Sequence, residues 1–114
     1  MKNEELNIQS LIIKYLRMNG IFCYSIPNGI NISNIKTRSL MKKSGLLTGV
    51  SDIHIILPNR MIFVEVKTPK GKQQPSQKEF EKTVKELGFE YYVWNCIEQA
   101  IDFVNLIKKD TKSC

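Results

Sequence analysis

The sequence predicts an α/β domain in which helices flank a mixed, central β-sheet. Three observations predict it. Apolar residues recur at helical spacing in segments 4–18 and 97–109, and short apolar segments alternate in the strand sense between residues 52 and 67. Turn residues separate these segments. The elements follow in the order α-β-β-β-α-β-α, which is typical of a sheet covered by helices.

The first half of the chain contains a helix, a strand and a long polar segment. The helix over 4–18 stops at Asn19-Gly20, and residues 21–26 form a short apolar strand ended by a turn. Segment 28–49 is polar and basic, with at most a helical turn near 36–44. A segment this long without regular structure is usually functional or mobile.

The second half supplies the rest of the predicted sheet. Residues 52–57 and 61–67 are predicted strands joined by a tight hairpin turn. Pro75-Ser76 opens a helix that Gly88 closes. The last two elements are a strand at 90–94 and a helix at 97–109. The length suits one core, so residues 1–114 are expected to form a single domain.

The charge of the chain favours a polyanionic partner. The formal net charge is +6, and it is concentrated in two places. The first group of basic residues comprises Lys36, Arg38, Lys42 and Lys43, and the second comprises Lys67, Lys70 and Lys72. In a nucleic-acid-binding protein such residues would contact phosphates without reading bases.

Composition also predicts the compartment. The apolar runs are too short to span a membrane, and the start of the chain lacks the apolar core of a secretory signal. The cysteines (Cys23, Cys96 and Cys114) are odd in number and match no zinc spacing. They are expected to be free thiols in a reducing compartment, which indicates the cytoplasm.

Two carboxylates and an amine are predicted to converge on the hairpin. Alternation puts Glu65 and Lys67 on one face of their strand, about 6.6 Å apart. Asp52 begins the partner strand where Glu65 ends its own, so the two carboxylates are placed to meet across the pair. Charged groups at the end of an apolar strand are costly to desolvate without a partner or a task.

This arrangement suits a divalent metal and an activated water. Mg²⁺ takes hard oxygen ligands, and the carbonyl of Val66 would add a third oxygen to the two carboxylates. Lys67 would orient or deprotonate the attacking water and offset negative charge. The alternative is a cross-strand Glu/Lys pair on a solvated face, worth about 0.2–1 kcal/mol. The spacing alone does not decide between them.

The surrounding motifs resemble those of a known nuclease family. Gly49-Val50-Ser51-Asp52, the run Glu65-Val66-Lys67-Thr68-Pro69-Lys70-Gly71 and then Gln77 closely resemble the VRR-NUC family. This family is a branch of the PD-(D/E)XK nuclease superfamily, and the resemblance covers nearly the whole chain. It implies a restriction-endonuclease-like core and an endonuclease that cuts DNA with Mg²⁺ or Mn²⁺.

The resemblance also implies roles for single residues. Asp52 and Glu65 look like the metal carboxylates, and Lys67 looks like the catalytic lysine. Gln77 looks like the helix glutamine that supports the site and the nucleic acid backbone. Glu5 looks like the acid of the first helix, with its neighbour Glu4 as a competitor at similar helical spacing. The chain departs from the family at Ser51, where a proline that shapes the turn is usual.

Stand-alone members of this length resemble phage-type homodimeric enzymes that resolve branched DNA, notably four-way junctions. The expected function is therefore a structure-selective endodeoxyribonuclease of bacterial or phage type. A symmetric junction needs two paired cuts, which a two-fold homodimer supplies. The alternatives are a non-catalytic DNA-binding module and a restriction-type subunit that cuts duplex DNA. His54 shares the face of Asp52 and is expected to be a partly buried strand histidine.

Overall fold

The computed structural model describes residues 2–27 and 35–112. Its elements are α1 (Lys2–Met18), β1 (Phe22–Ser25), α2 (Ile35–Lys43), β2 (Ile53–Leu57), β3 (Arg60–Val66), α3 (Pro75–Glu86), β4 (Glu90–Trp94) and α4 (Ile97–Lys112). The predicted fold class, a mixed sheet flanked by helices, is confirmed. Cys114 and residues 28–34, which begin the polar segment predicted at 28–49, lie outside the described residues.

A helix occupies the segment that was expected to hold at most one helical turn. α2 is nine residues long, and its described side chains are exposed apart from the partly buried Met41. Within the described residues, α2 packs against no other helix or strand. Because nothing buries an apolar stripe on this helix, its sequence lacks the periodicity by which helices are recognised.

The four strands form one mixed sheet in the order β1-β2-β3-β4. The first two pairings are antiparallel, and β4 lies parallel to β3. Ile53 pairs with Val64, so one step further along the hairpin Asp52 lies opposite Glu65. The register predicted from alternation therefore brings the two acids together at one end of the sheet.

The two faces of the sheet are covered differently. One face packs against α1 and α4, and its buried core includes Ile12, Leu16, Ile53, Ile55, Ile62, Val64, Val66, Phe103 and Val104. The opposite face carries Asp52 and Glu65, and we call it the acid face. There α3 packs through Phe80 and Val84 on Phe63 and Tyr91, which belong to β3 and β4. The half of the acid face formed by β1 and β2 has no described helix over it.

None of the helices in the part of the chain that the structure describes is long and apolar enough to cross a membrane.

Candidate active site

Asp52 and Glu65, which we call the acid pair, are buried side by side at the end of the hairpin. Asp52 is 9% exposed and Glu65 is 1% exposed. The Oδ2 atom of Asp52 accepts a hydrogen bond of 2.8 Å from the backbone N–H of Val66. This bond extends the ladder between the strands by one step and fixes Asp52 against β3.

The Lys67 side chain lies beside the acid pair. Its Nζ is 3.6 Å from Oε2 of Glu65, and the side chain is only 11% exposed. The predicted alternation explains this position, because Lys67 follows Glu65 by two residues and returns to the same face. The solvated surface pair that spacing alone allowed is wrong, since both groups are withdrawn from water.

Burial raises the pKa of the Glu65 carboxyl from its ordinary value to about 8. The negative charge of Asp52 beside it acts in the same direction, whereas the Lys67 ammonium acts in the opposite one. Two carboxylates in one desolvated place resist ionising together, unless a cation compensates them. The acid pair is therefore a place where a further positive charge would be strongly favoured.

Helix α1 contributes a third acid, and the structure distinguishes between its two candidates. Glu5 is partly buried, whereas Glu4 is exposed. Burial raises the pKa of the Glu5 carboxyl, Lys67 lowers it and Asp52 raises it, so Glu5 interacts with both residues across the site. The geometry thus favours Glu5 over Glu4 as the acid that faces the acid pair.

Gln77 joins the first turn of α3 to the acid pair. Its Nε2 donates a hydrogen bond of 2.7 Å to Oε2 of Glu65, while its Oε1 accepts one of 2.7 Å from the backbone N–H of Gln74. An amide side chain donates from its nitrogen and accepts at its oxygen, so Gln77 makes both bonds at once. A glutamate at the same position would cap the helix but would repel Glu65.

Sequence reasoning missed a second support of Glu65. The hydroxyl of Tyr91 lies 3.5 Å from Oε1 of Glu65, and Gln73 donates hydrogen bonds of 3.3 Å to that hydroxyl and 3.0 Å to Glu81. The parallel register pairs Tyr91 with Phe63, which places it on the acid face. Only knowledge that β4 lies next to β3 would have revealed this contact.

Gly49 allows the loop before Asp52 to touch the start of α3. Its φ is +86°, and a Cβ atom there would lie 2.3 Å from the backbone oxygen of Ser76 and 3.0 Å from the backbone nitrogen of Gln77. Any side chain would push α3 away from the loop. The absence of a side chain at Gly49 therefore allows the loop that leads to Asp52 to contact the helix that carries Gln77.

Replacing Gly49 by alanine is expected to lower the free energy of unfolding by about 2–5 kcal/mol. Positive φ costs an L-residue about 1–2 kcal/mol, and overpacking costs about 1–3 kcal/mol more. Gly88→Ala is the matched control, because Gly88 has φ +92° with nothing within 4 Å of an added Cβ. Urea denaturation measures both variants. Equal losses would show that the contact with Ser76 contributes nothing.

The donor set fits a divalent cation that takes hard oxygen ligands. Within the described residues, no group of three or more His, Cys, Asp or Glu side chains is arranged to hold a metal ion. Mg²⁺ does not require one, since one or two carboxylates commonly hold it in proteins. The N–H and C=O of a strand residue point to the same edge, so the Val66 carbonyl also faces Asp52.

The other predicted residues differ in their exposure to solvent. The predicted DNA contacts Lys36, Arg38, Lys42 and Lys43 are exposed on α2, and Lys70 and Lys72 are exposed in the loop after β3. His54 is half-buried, with Nδ1 3.4 Å from the Tyr24 hydroxyl. Ser51 is fully buried, and its Oγ has no hydrogen-bond partner in the described part of the chain.

Comparisons with known proteins identify the family and agree with the fold. The family model described as VRR-NUC domain matches residues 8–96, which is more than half of the chain. A solved structure described as "VRR_NUC domain" is 19% identical with a TM-score of 0.66, over 90% of this chain and 95% of its own. Another, described as "VRR_NUC domain protein", is 17% identical with a TM-score of 0.69, over 89% of this chain and 84% of its own. These TM-scores show a shared fold. No curated protein matches the chain.

Proposed function

Because the chain belongs to the VRR-NUC family of nuclease domains, we propose that it is a divalent-metal-dependent DNA endonuclease that cuts branched DNA. The observation that carries the proposal is the convergence of Asp52, Glu65 and Lys67 in one buried place on the acid face. Burying two acids and an amine costs stability, and a protein that only binds DNA has no need of them.

The proposed Mg²⁺ or Mn²⁺ ion would be held by Asp52, Glu65 and the Val66 carbonyl. When bound there, such an ion supplies a water of lowered pKa and positive charge beside the phosphate oxygens. The raised pKa of Glu65 supports this position, since the carboxyl gains most from a compensating cation. Gln77 holds Glu65 in the orientation that the ligand role needs.

The remaining residues of the site would act on the water and on the phosphate. Lys67 is the cationic side chain nearest to the acid pair, so it would orient the attacking water and offset the charge that develops on the phosphate. Glu5 on α1 interacts electrostatically with Lys67 and Asp52 and would add a third negative charge near the proposed cation. Exposed basic residues on α2 and after β3 would bind the DNA backbone.

The proposed substrate is a four-way junction or a related branched DNA, and the proposed active form is a homodimer. A junction has two symmetric strands to cut, and a two-fold dimer presents two copies of the site to them. Sedimentation of the purified protein measures the oligomeric state.

The experiment compares cleavage of end-labelled four-way junction, flap and linear duplex DNA with Mg²⁺, Mn²⁺ or EDTA. We expect cleavage with metal and none in EDTA, with the branched substrates cut faster than the duplex. Asp52→Asn is expected to abolish cleavage, while Asp102→Asn, an exposed aspartate of α4, is expected to keep it. Junction binding without cleavage under any metal would indicate a binding module, and equal cutting of duplex would indicate a restriction-type enzyme.

A further inference from the structure

The half of the acid face formed by β1 and β2 carries aromatic rings that no described helix covers. Phe22 is 64% exposed and Ile56 is 39% exposed, and these two residues pair across the strands. Tyr24 and His54 form the next pair and are half-buried. The ring centroids of Phe22 and Tyr24 are 5.9 Å apart, and those of Tyr24 and His54 are 5.4 Å apart. We call Phe22, Tyr24, His54 and Ile56 the aromatic strip.

The aromatic strip leads directly to the acid pair. The backbone N–H of Ile26 donates a hydrogen bond of 2.8 Å to the carbonyl of Asp52, which continues the pairing of β1 with β2. Tyr24 lies two residues before Ile26, which is about 6.6 Å along the strand. Phe22 lies four residues before Ile26, which is about 13 Å. A strand of DNA with its phosphate at the acid pair would therefore reach the rings.

A basic groove follows the other side of β1. The groove has a volume of about 620 Å³ and lies between α1 and the end of β1. Its lining combines two cations with polar and apolar side chains: Lys14, Arg17, Gln9, Ser10, Ser25, Leu6, Ile13 and Met18. The guanidinium of Arg17 donates a hydrogen bond of 3.1 Å to the carbonyl of Cys23, so this cation lies at the free edge of the sheet. β1 thus has the aromatic strip on one face and the cations of α1 beside its other face and its free edge.

We propose that β1, with the aromatic strip and the basic groove, binds unpaired nucleotides of the DNA next to the cleavage site. This inference rests on the proposed nuclease function and narrows its substrate to DNA with a single-stranded segment at the cut. Aromatic rings stack on bases that are not already stacked in a duplex, and a cationic groove follows the phosphates of the same strand.

Charge favours DNA over a second copy of the chain as the occupant. A two-fold contact through this surface would place the same patch, with Lys14 and Arg17, on both sides of the interface. Among the described residues, the groove lining contains no acidic residue that could pair with these cations of the other copy, so they would repel. A polyanion instead neutralises both cations and releases counterions.

The test measures binding in EDTA, so that its outcome does not depend on cleavage. Fluorescence anisotropy compares a labelled oligothymidine with a labelled duplex of equal length. Phe22→Ala combined with Tyr24→Ala is expected to weaken binding of the oligothymidine at least about tenfold and binding of the duplex less than about twofold. Leu106→Ala, a comparably exposed side chain on α4, is the matched control and is expected to change neither.

Two further sets of variants separate stacking and charge from a general loss of structure. Phe22→Trp keeps an aromatic face and is expected to retain affinity for the oligothymidine, whereas Phe22→Leu keeps apolar area and is expected to lose it. Lys14→Gln is expected to reduce the salt dependence of oligothymidine binding by about 0.7 in slope, one phosphate contact. Lys109→Gln, an exposed lysine of α4, is expected to leave that slope unchanged.

Equal affinity of Phe22→Leu and Phe22→Trp would overturn the inference, as would a parallel loss of duplex binding in the double variant. A change of oligomeric state with unchanged oligothymidine affinity would assign the surface to a second copy and would also overturn it. If the wild-type protein cuts junctions while the double variant binds the oligothymidine normally, the proposed role of β1 fails and the proposed function stands. If the wild-type protein binds the oligothymidine through Phe22 but cuts no DNA, the proposed function fails, and the binding of unpaired nucleotides by β1 is established without a cleavage site beside it.

Discussion

Replacing Lys67 by alanine is expected to reduce kcat for DNA cleavage by about 10³-fold while leaving DNA binding within about twofold. A positioned acid–base group contributes about 10²–10⁴-fold, and a group that stabilises developing charge contributes about 10²–10³-fold. The effect falls on kcat because Lys67 is withdrawn from the surface and is not available to bind the DNA at a distance. Cleavage of a labelled four-way junction and anisotropy in EDTA measure the two quantities.

The controls for this prediction address folding and charge. Lys67→Met keeps the length of the side chain in its buried position and is expected to lose activity as alanine does, with less disturbance of packing. Lys109→Ala removes the same charge from the exposed surface of α4 and is expected to cut at the wild-type rate. If Lys67→Met cuts as fast as the wild type, Lys67 has no part in the chemistry.

The hairpin and its acid pair could be predicted from sequence because local rules determine them. Alternation sets the face of Glu65 and Lys67, and a tight turn sets the register that brings Asp52 opposite Glu65. The structure confirms the fold class for the same reason. Each strand and each core-facing helix carries the periodicity of the surface that it buries.

The residues that surround the acid pair depend on tertiary packing, which no local pattern encodes. Glu4 and Glu5 both lie at helical spacing from Ile8, and the packing of α1 leaves Glu4 exposed while partly burying Glu5. Tyr91 contacts Glu65 because β4 lies beside β3 and parallel to it. The sequence of β4 does not by itself show which strand it pairs with. α2 was not predicted, because a helix without a buried side has no periodicity to detect.

Replacing Glu65 by glutamine is expected to abolish cleavage and, in the absence of metal, to stabilise the protein at alkaline pH. The pKa of this carboxyl is about 8 in the folded chain, above its ordinary value of 4.5. The folded protein therefore retains a proton that the unfolded chain has already released. Between about pH 4.5 and 8 this difference lowers the contribution of Glu65 to the free energy of unfolding by about 1.4 kcal/mol for each pH unit.

Glutamine does not titrate, so this fall is expected to be absent from the variant, which keeps an amide oxygen for the hydrogen bond from Gln77. Urea denaturation in EDTA at pH 5, 6.5 and 8 measures the difference between the two proteins, in which unchanged groups cancel. Glu98→Gln, at an exposed glutamate of α4, is expected to follow the wild type at every pH. Parallel curves for Glu65→Gln and the wild type would show that Glu65 is ionised throughout. The pKa of Glu65 would then not be raised, and it would no longer support a metal at the acid pair.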